Sequence, residues 1–384
     1  MKRFLACLLC LFTLCFLFAC DKNPPLSDEG NTQGEISPST SPDEKSQQEG
    51  SGKLYFIPIS ITEISDGATC SAAITLGSNG LPASITNPYK GISAHDYTYD
   101  ANGNVTKLVC TYTTGEKTFS EYTYNEVGKA IKCIYTSIGG SKEISDYTYD
   151  SNGNLTQYRL TLPSGTYIFF DYIYDANGRK IKDVHRNNNG DNATTDYIYD
   201  DKGNLLKRSF FDFYGDLTVT AYAYDAKGNL TNETVTRSYD SDGKTRTDYV
   251  YDASGILICK NVEYANGTTV SYDYANEKLI KSVATYAIGA TVTYNYSYNT
   301  DGNLTRRVYT LSYEDSASSV VVTDEYTYDA YGNVIKFATY DEDGTVTKSI
   351  EVQYQPVIVK NGIPNQIQEV LDELLADVYG EQEE

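Results

Sequence analysis

The stretch YTYDANGN at residues 97–104 decides the fold, because variants of it recur along most of the chain. The copies are YTYNEVGK from Tyr122, YTYDSNGN from Tyr147, YIYDANGR from Tyr172, YIYDDKGN from Tyr197, YAYDAKGN from Tyr222, YVYDASGI from Tyr249, the shortened YDYANEK from Tyr272, YSYNTDGN from Tyr296 and YTYDAYGN from Tyr326. The first six copies start 25 residues apart. A fixed period of this length indicates a repeat architecture. Ten units span Tyr97 to about Tyr354, and ITLGSNGLPASI from Ile74 is interpreted as a decayed eleventh unit.

Each unit also carries a second glycine turn halfway along, as when Gly115 follows Gly103. The runs between the turns are rich in Tyr, Thr, Val and Ile, which suit strands. A unit is therefore predicted to be two strands and two turns. The residues assigned to the structural repeat motif are Tyr97, Tyr99, Asp100, Gly103, Tyr122, Tyr124, Gly128, Tyr147, Tyr149, Asp150, Gly153, Tyr172, Tyr174, Asp175, Gly178, Tyr197, Tyr199, Asp200, Gly203, Tyr222, Tyr224, Asp225, Gly228, Tyr249, Tyr251, Asp252, Gly255, Tyr296, Tyr298, Gly302, Tyr326, Tyr328, Asp329 and Gly332.

The motif turn explains its residue types. An Asp at the first position of a type I turn accepts from backbone N–H groups two residues on, and the Gly supplies the left-handed residue of a G1 bulge. If Asp100 lies opposite Asn104, then Tyr99 faces Val105, Thr98 faces Thr106 and Tyr97 faces Lys107. The same register predicts that Tyr147, Tyr172, Tyr197 and Tyr326 face Gln157, Lys182, Lys207 and Lys336, so that basic stems cover tyrosine rings.

On the other face, the register pairs Ile173 with Ile181, Ile198 with Leu206 and Val250 with Ile258. Apolar residues on both faces favour a sheet wrapped on itself. About twenty strands at roughly 4.8 Å would also make an open ribbon wider than twisted sheets usually allow. The predicted fold is all-β: tandem hairpin repeats of about 25 residues in a long antiparallel meander, curled into a spiral, tube or partial shell.

The end of the chain has a different period. Ile363, Ile367, Val370, Leu371, Leu374, Leu375 and Val378 have helical spacing and follow Pro364. This pattern predicts a short amphipathic helix that caps the last strand or the open end of the shell. The alternative interpretation is a helix that binds a partner.

The first residues indicate export. Lys2 and Arg3 precede an apolar run to Phe18, which is typical of a cleaved signal. Leu17 to Cys20 resembles a bacterial lipobox, which predicts acylation of Cys20 and attachment to the cell envelope, at the outer membrane or the cell surface. An ordinary secretory signal with an incidental Cys is the alternative. The predicted segments are a signal (1–20), a Ser-, Pro- and Glu-rich tether (21–52), an N-terminal β segment with the decayed repeat (53–95), ten repeats (96–355) and a C-terminal segment (356–384).

Charge and composition exclude several classes. The formal net charge of −21 argues against binding nucleic acid. Cys70, Cys110, Cys133 and Cys259 fit no zinc pattern and are predicted to stay unpaired. No nucleophile motif, phosphate loop or metal cluster stands out, so neither enzyme activity nor a cofactor or metal is predicted. The turn aspartates are interpreted as structural, with calcium binding as the alternative.

Tyrosine is the residue type with a candidate binding role, since the chain has 37 Tyr and no Trp. The motif tyrosines follow the strand period and are interpreted as packing residues. A tyrosine ring also offers a flat face and a hydroxyl to a sugar. Four tyrosines outside the motif are the candidates that face a ligand: Tyr135, Tyr158, Tyr214 and Tyr309.

The motif Tyr-x-Tyr-Asp-x-x-Gly-Asn/Arg-Leu resembles the YD repeat of the RHS family, found in bacterial toxin shells, wall-associated proteins and teneurin receptors. The resemblance covers about two thirds of the chain and implies a β-strip that spirals into a hollow shell. The chain lacks an Asp-Pro-Leu-Gly-type segment near its C-terminus and a toxic domain after the repeats. We therefore expect a scaffold for binding or adhesion with a glycan or protein ligand, or else a purely structural shell or spacer of the envelope.

Overall fold

The computed structural model of the chain describes residues 53–86, 91–188, 190, 192–238, 243–314, 319–359 and 361–379. The predicted signal, Cys20 and the tether lie outside the described residues. The strands are β1 (Lys53–Ser65), β2 (Ala68–Leu76), β3 (Pro82–Ile85), β4 (Ile92–Tyr99), β5 (Val105–Tyr112), β6 (Lys117–Tyr124), β7 (Ala130–Thr136), β8 (Lys142–Tyr149), β9 (Leu155–Thr161), β10 (Tyr167–Tyr174), β11 (Lys180–Asn187), β12 (Asn192–Tyr199), β13 (Leu205–Phe211), β14 (Leu217–Tyr224), β15 (Leu230–Arg237), β16 (Lys244–Tyr251), β17 (Leu257–Glu263), β18 (Thr269–Ala275), β19 (Lys278–Thr285), β20 (Ala290–Tyr298), β21 (Leu304–Tyr313), β22 (Ser319–Tyr328), β23 (Val334–Tyr340) and β24 (Val346–Val359). One helix follows, α1 (Asn365–Tyr379).

The strands form one antiparallel sheet that closes on itself. Each strand pairs with the next, and β24 returns to pair with β1 from Lys53 opposite Val359 to Ser65 opposite Lys348. The all-β prediction is confirmed, and the shape is a closed shell. The predicted segment boundaries at 95/96 and 355/356 fall within β4 and β24, because the sheet runs through them without a break.

The predicted turn chemistry is confirmed in the motif hairpins. In the first, the Gly103 amide donates to the Asp100 carbonyl at 3.2 Å and the Asp100 amide donates to the Asn104 carbonyl at 3.0 Å. Asp100 Oδ1 accepts from the Asn102 amide at 2.8 Å, and Gly103 has a φ of +86°. The turn thus uses a side-chain oxygen, which Asn125 supplies in the second copy, and a residue without a β-carbon.

The decayed repeat is a hairpin of the same kind. Between β2 and β3, the Gly77 amide donates to the Leu81 carbonyl at 2.8 Å and the Gly80 amide donates to the Gly77 carbonyl at 3.0 Å. Gly80 has a φ of +77°. The glycines therefore preserve the turn although the tyrosines of the motif have been lost.

The predicted register is right for the last pair of each hairpin and wrong beyond it. Tyr99 faces Val105, but Tyr97 faces Leu108 because a second β-bulge inserts Thr106 as an extra residue. The other tyrosine partners shift in the same way: Tyr147 faces Tyr158 rather than Gln157, Tyr172 faces Asp183 rather than Lys182, Tyr197 faces Arg208 rather than Lys207, and Tyr326 faces Phe337 rather than Lys336. The Thr98–Thr106 and Ile173–Ile181 pairs are replaced by Thr98 with Lys107 and Ile173 with Lys182.

The shifted register turns the lysines to the outer face of the sheet. Lys182 Nζ lies 3.1 Å from Asp196 Oδ1, and Lys336 Nζ lies 3.5 Å from Glu351 Oε1 on the neighbouring strand. Exposed pairs of this type contribute about 0–1 kcal/mol each. The apolar residues of the middle repeats lie on the same outer face, where Ile198 is 51% exposed. They do not form a second buried face.

Helix α1 packs against the inner face of the sheet and covers the last strand, β24, as predicted, since Val357 and Ile350 of this strand lie in the two buried clusters around the helix. Ile367 and Leu371 join a buried cluster with Ile57, Ile85 and Tyr97. Further along the helix, Leu375 and Val378 belong to a second cluster, with Ile61, Ile350 and Val334. The helix therefore lies over the seam between β1 and β24 and buries residues from both sides of it. Its start is two residues later than the predicted apolar pattern, with the Pro364 carbonyl accepting from the Ile367 amide.

Candidate functional site: the inner wall and its tyrosine recess

The first tyrosine of the motif points to the inner face and packs where the helix covers the sheet. Tyr97, Tyr122, Tyr147 and Tyr326 are buried in the two clusters around α1. The equivalent Tyr197, Tyr222 and Tyr249, further around the sheet, are only half-buried. One helix thus covers only part of the inner face.

The second tyrosine of the motif holds each hairpin to the one before it. Its hydroxyl donates to a backbone carbonyl at the start of the preceding strand, from the first residue or, for Tyr298, the second. The bonds run from Tyr124 to Val105 (2.7 Å), Tyr149 to Ala130 (2.8 Å), Tyr174 to Leu155 (2.9 Å), Tyr199 to Lys180 (2.8 Å), Tyr224 to Leu205 (3.0 Å), Tyr251 to Leu230 (2.8 Å), Tyr298 to Leu279 (2.8 Å) and Tyr328 to Leu304 (2.6 Å). Tyr99 bonds the Pro82 carbonyl in the same way. Burial raises the pKa of Tyr124 and of Tyr174 to about 12, so these phenols stay protonated and donate.

The turn aspartates are occupied by their own turns. Hydrogen bonds from the Asn154 and Asn204 side chains, joined by backbone amides, hold the pKa values of the Asp150 and Asp200 carboxyls below their usual range. Within the described ranges, no group of three His, Cys, Asp or Glu side chains lies close enough to hold a metal ion. The same portion of the chain contains no helix of sufficient length and apolar character to span a membrane.

The two histidines lie on different strands, and one of them, His95, faces Cys110 across β4 and β5. His95 is buried on β4, which lowers its pKa. His185 on β11 stacks on Phe170 at 4.0 Å between ring centroids, and its burial lowers its pKa to about 4. Among the described residues, Cys70, Cys110, Cys133 and Cys259 form no disulfide.

The residues that face the first motif tyrosines change character around the sheet. Beside the helix they are apolar: Leu108, Cys133, Tyr158 and Phe337. Away from it they are Asp183, Arg208, Glu233, Lys260 and Arg307. Arg208 is exposed although it lies on the inner face. The inner wall from β11 to β21 is therefore polar and in contact with solvent.

A recess lies in this wall across β18 to β21. It has a volume of about 170 Å³ and is lined by Val270, Ser282, Ala284, Tyr286, Val292, Tyr294 and Tyr309. Ser282 and Ala284 are small side chains between larger ones, and this difference in size makes the recess. The Tyr294 and Tyr309 ring centroids lie 5.2 Å apart with their planes inclined at 59°.

The charge nearest the recess is neutralised. The Arg307 guanidinium lies 5.8 Å from the Tyr294 ring centroid. Its Nη2 and Nε donate to Asp324 Oδ2 at 2.8 and 3.0 Å, and the Thr339 hydroxyl donates to Asp324 Oδ1 at 2.8 Å. The recess therefore presents ring faces, phenol and serine hydroxyls and aliphatic side chains, with no net charge.

The four tyrosines singled out by the sequence have different fates. Tyr309 lines the recess, and Tyr135 occupies the equivalent position on β7 beside the helix-covered core. Tyr214 is 88% exposed at a turn. Tyr158 is 4% exposed, bonds Ser145 at 3.2 Å and stacks on Tyr147, so it is a core residue and does not face a ligand.

Tyr294, Ser282 and Ala284 were not predicted from the sequence as site residues. Their grouping depends on which residues meet across β18 to β21, and the bulges set that register. The sequence signal that could have predicted the recess is the pair of small residues Ser282 and Ala284 on β19, between strands that carry tyrosines.

Several solved structures are similar in parts. A crystal structure of TcdB2-TccC3-TEV shares 14% identity, covers 78% of this chain and 19% of its own, and gives a TM-score of 0.35. A porin-like protein from Bacteroides uniformis shares 11% identity over 78% of this chain and 96% of its own, with a TM-score of 0.25. The chain thus spans about a fifth of the TcdB2-TccC3-TEV chain. No curated protein matches the sequence.

The family model that matches is the Teneurin YD-shell, over residues 91–278. This range runs from the turn before β4 to the start of β19 and includes seven intact copies of the motif and the shortened copy from Tyr272. The YD-shell is a structural shell fold, and the closed sheet described above has the same character. With the motif, its period and the closed sheet all present, the chain is similar to the YD-repeat family over residues 91–278, which are 188 of its 384 residues.

Proposed function

We propose that the protein is a lipid-anchored, non-enzymatic shell of the bacterial cell envelope that binds a glycan on its inner wall. The recess between β18 and β21 carries this proposal, because it gathers Tyr286, Tyr294 and Tyr309 in an uncovered part of the wall. Ligand sites are concave and mostly apolar, with a few polar groups that fix orientation. The recess has this composition.

The chemistry of the recess favours a neutral sugar. The phenol rings offer apolar faces for stacking, and their hydroxyls and that of Ser282 offer hydrogen bonds. Because Asp324 holds Arg307, an anionic group has no free cation to bind at this point. The volume is below the roughly 300 Å³ at which pockets for drug-sized ligands begin, so the recess accommodates one ring of a longer glycan.

Direct binding tests the proposal. The mature chain is screened on a glycan array, and the affinity of each hit is measured for the wild type, Tyr309→Ala and Tyr135→Ala. Tyr135 is the matched control, since it holds the same position in its repeat but lies beside the helix-covered core. We expect Tyr309→Ala to weaken binding at least tenfold and Tyr135→Ala to leave it within twofold. Equal effects of the two changes would place the ligand elsewhere, and an array without hits would leave no glycan function.

A purely structural shell is the second candidate. The hydroxyl bonds of the second motif tyrosines favour it, because they commit nine tyrosines to joining neighbouring hairpins. A pull-down from envelope extracts with the mature chain separates the two functions. If the protein is a spacer, the wild type and Tyr309→Ala capture the same proteins. If it is a binding scaffold for a protein ligand, the wild type captures a partner that Tyr309→Ala does not.

The anchor is proposed from the sequence around Cys20. Mass spectrometry of the mature N-terminus decides it: an acylated Cys20 supports the anchor, and a free amine on Asp21 or a later residue would contradict it.

A further inference from the structure

One rim of the shell carries an arc of exposed apolar side chains. The rim arc consists of Phe211, Phe213, Tyr214, Tyr264, Tyr286, Ile288 and Tyr313, all exposed. These residues lie at the ends of the hairpins β13–β14, β17–β18 and β19–β20 and at the end of β21. Tyr214 and Ile288 project furthest, at 88% and 83% exposed. Large apolar groups concentrated on one stretch of a surface mark an interaction site.

Other turns differ at the position held by Tyr214 and Ile288. On the same rim the equivalent residues include Thr114, Ser164 and Asp343. On the opposite rim Val127 and Tyr331 are apolar, but they stand on separate hairpins, and Tyr331 stacks on Phe56 at 4.5 Å between ring centroids. The apolar arc therefore belongs to one part of one rim and is not a property of the repeat.

The residue types of the arc fit a lipid interface. Four of the seven are tyrosines, whose rings are apolar while their hydroxyls remain hydrated, and such rings are enriched where membranes meet water. The side chains sit on three hairpin ends and the end of β21 along one rim of a closed sheet, so several of them reach one flat surface together. A flat lipid surface can contact all of these side chains without a separate pocket for each one.

The charges beside the arc select the kind of lipid. Among the described residues beside the arc, the acidic Asp212, Asp216 and Glu314 outnumber the basic Arg237 and Lys244, which flank the turn after β15. Binding to anionic headgroups is therefore not favoured, and contact has to come from burial of the rings. We infer that the rim arc docks on a zwitterionic phospholipid surface, with Tyr214 and Ile288 as the deepest contacts.

The position of the chain terminus permits this orientation. Strand β1 begins at the opposite rim, at Lys53 beside Val359. Residues 21–52 reach about 105 Å when extended at ~3.3 Å each, and a strand of eight residues is about 26 Å long. The segment before β1 is thus long enough to return to the surface on which the rim arc rests.

Vesicle flotation tests this inference on residues 20–384 produced without acylation, so that only the fold contacts lipid. The probe is a vesicle of pure phosphatidylcholine. Ile288→Ser and Val127→Ser form a matched pair, since both replace an exposed aliphatic side chain at the same turn position on opposite rims. We expect the wild type to float with the vesicles at low and at high salt, Ile288→Ser to bind at least threefold less, and Val127→Ser to bind as the wild type does.

Three results would overturn the inference: no flotation of the wild type, equal losses for Ile288→Ser and Val127→Ser, or loss of binding in high salt. Light scattering measures whether the arc instead binds a second copy of the chain. If the wild type dimerises without lipid and Ile288→Ser is a monomer, the arc binds a second copy of the chain instead. Tyr214→Ser repeats the test at a second exposed position, and circular dichroism establishes that each variant is folded.

Discussion

The hydroxyl of the second motif tyrosine is predicted to stabilise the shell at every hairpin, and Tyr199→Phe tests this in a middle repeat. The Tyr199 hydroxyl donates to the Lys180 carbonyl at 2.8 Å and so joins the end of β12 to the start of β11. The Arg179 guanidinium lies 4.9 Å from the ring centroid. Phenylalanine keeps the ring and this cation contact and removes only the hydrogen bond.

The magnitude follows from the setting of that bond. A typical hydrogen bond contributes a net 0.5–1.5 kcal/mol, and a buried acceptor left unpaired adds to the loss. Tyr199 is half-buried, so we expect a loss of about 1 kcal/mol in the free energy of unfolding. Burial raises the pKa of Tyr199, so the phenol is protonated and donates throughout the neutral range.

Urea denaturation measures the loss, with Tyr214→Phe as the control because the Tyr214 side chain is almost wholly exposed. The midpoint should fall for Tyr199→Phe with an unchanged slope, and the control should stay within about 0.3 kcal/mol of the wild type. Repeating the change at Tyr174 and Tyr224 should add similar losses, since the sites lie two strands apart, or about 9.6 Å. A Tyr199→Phe variant as stable as Tyr214→Phe would refute the role given to the hydroxyl.

Two further predictions concern the helix and the turns. Burial raises the pKa of Glu369 on α1 to about 7, with Asp372 adding to the rise, so the wild type should lose stability as pH rises from about 4.5 to 7, and the cost should be fully present above 7. Glu369→Gln should therefore be more stable than the wild type at pH 8, by about 1–2 kcal/mol after allowance for solvent screening, and the two should converge at pH 4.5; a constant difference across thermal melts at both pH values would contradict this. Gly203→Val and Gly332→Val each place a β-branched residue at positive φ, +98° and +87°, and should each lose about 1–3 kcal/mol in urea denaturation. In a linear array, Gly332→Val would cost less than Gly203→Val because its hairpin lies near one end. In the closed sheet both hairpins have two neighbours, so losses that differ by more than about 1 kcal/mol would contradict closure.

Sequence reasoning predicted the parts of the fold that local chemistry determines. The Asp and Gly of the turn determine its geometry within five residues, so Asp100 and Gly103 were enough to predict the hairpin. The alternation along strands placed Tyr97 and Tyr99 on one face. The decayed hairpin at Gly77 and Gly80 was recognisable because glycine alone carries most of the turn.

The parts that it missed depend on long-range packing. The bulge at Thr106 could not be predicted, because threonine is common at ordinary strand positions. The bulge shifts the register by one residue, so the lysines predicted to face the tyrosines lie on the outer face instead. Closure between β1 and β24 joins residues about 300 positions apart, which no local pattern reveals. The recess depends on the register, since Ser282 and Tyr309 lie on either side of Tyr294 only in the observed pairing of β19 to β21.

Closure of the sheet is the central claim, and an engineered disulfide between β1 and β24 tests it most directly. Thr62 faces Glu351 across the seam, and facing residues of antiparallel strands lie about 4.5–5.5 Å apart at Cα, within the range a disulfide requires. Thr62→Cys with Glu351→Cys, in a Cys70→Ser background, is compared with Lys132→Cys and Asp146→Cys across the ordinary β7–β8 pair. The closed shell predicts that both pairs oxidise within the folded monomer to the same extent, seen by peptide mapping. Oxidation of the β7–β8 pair without that of the β1–β24 pair would contradict it and leave an open spiral.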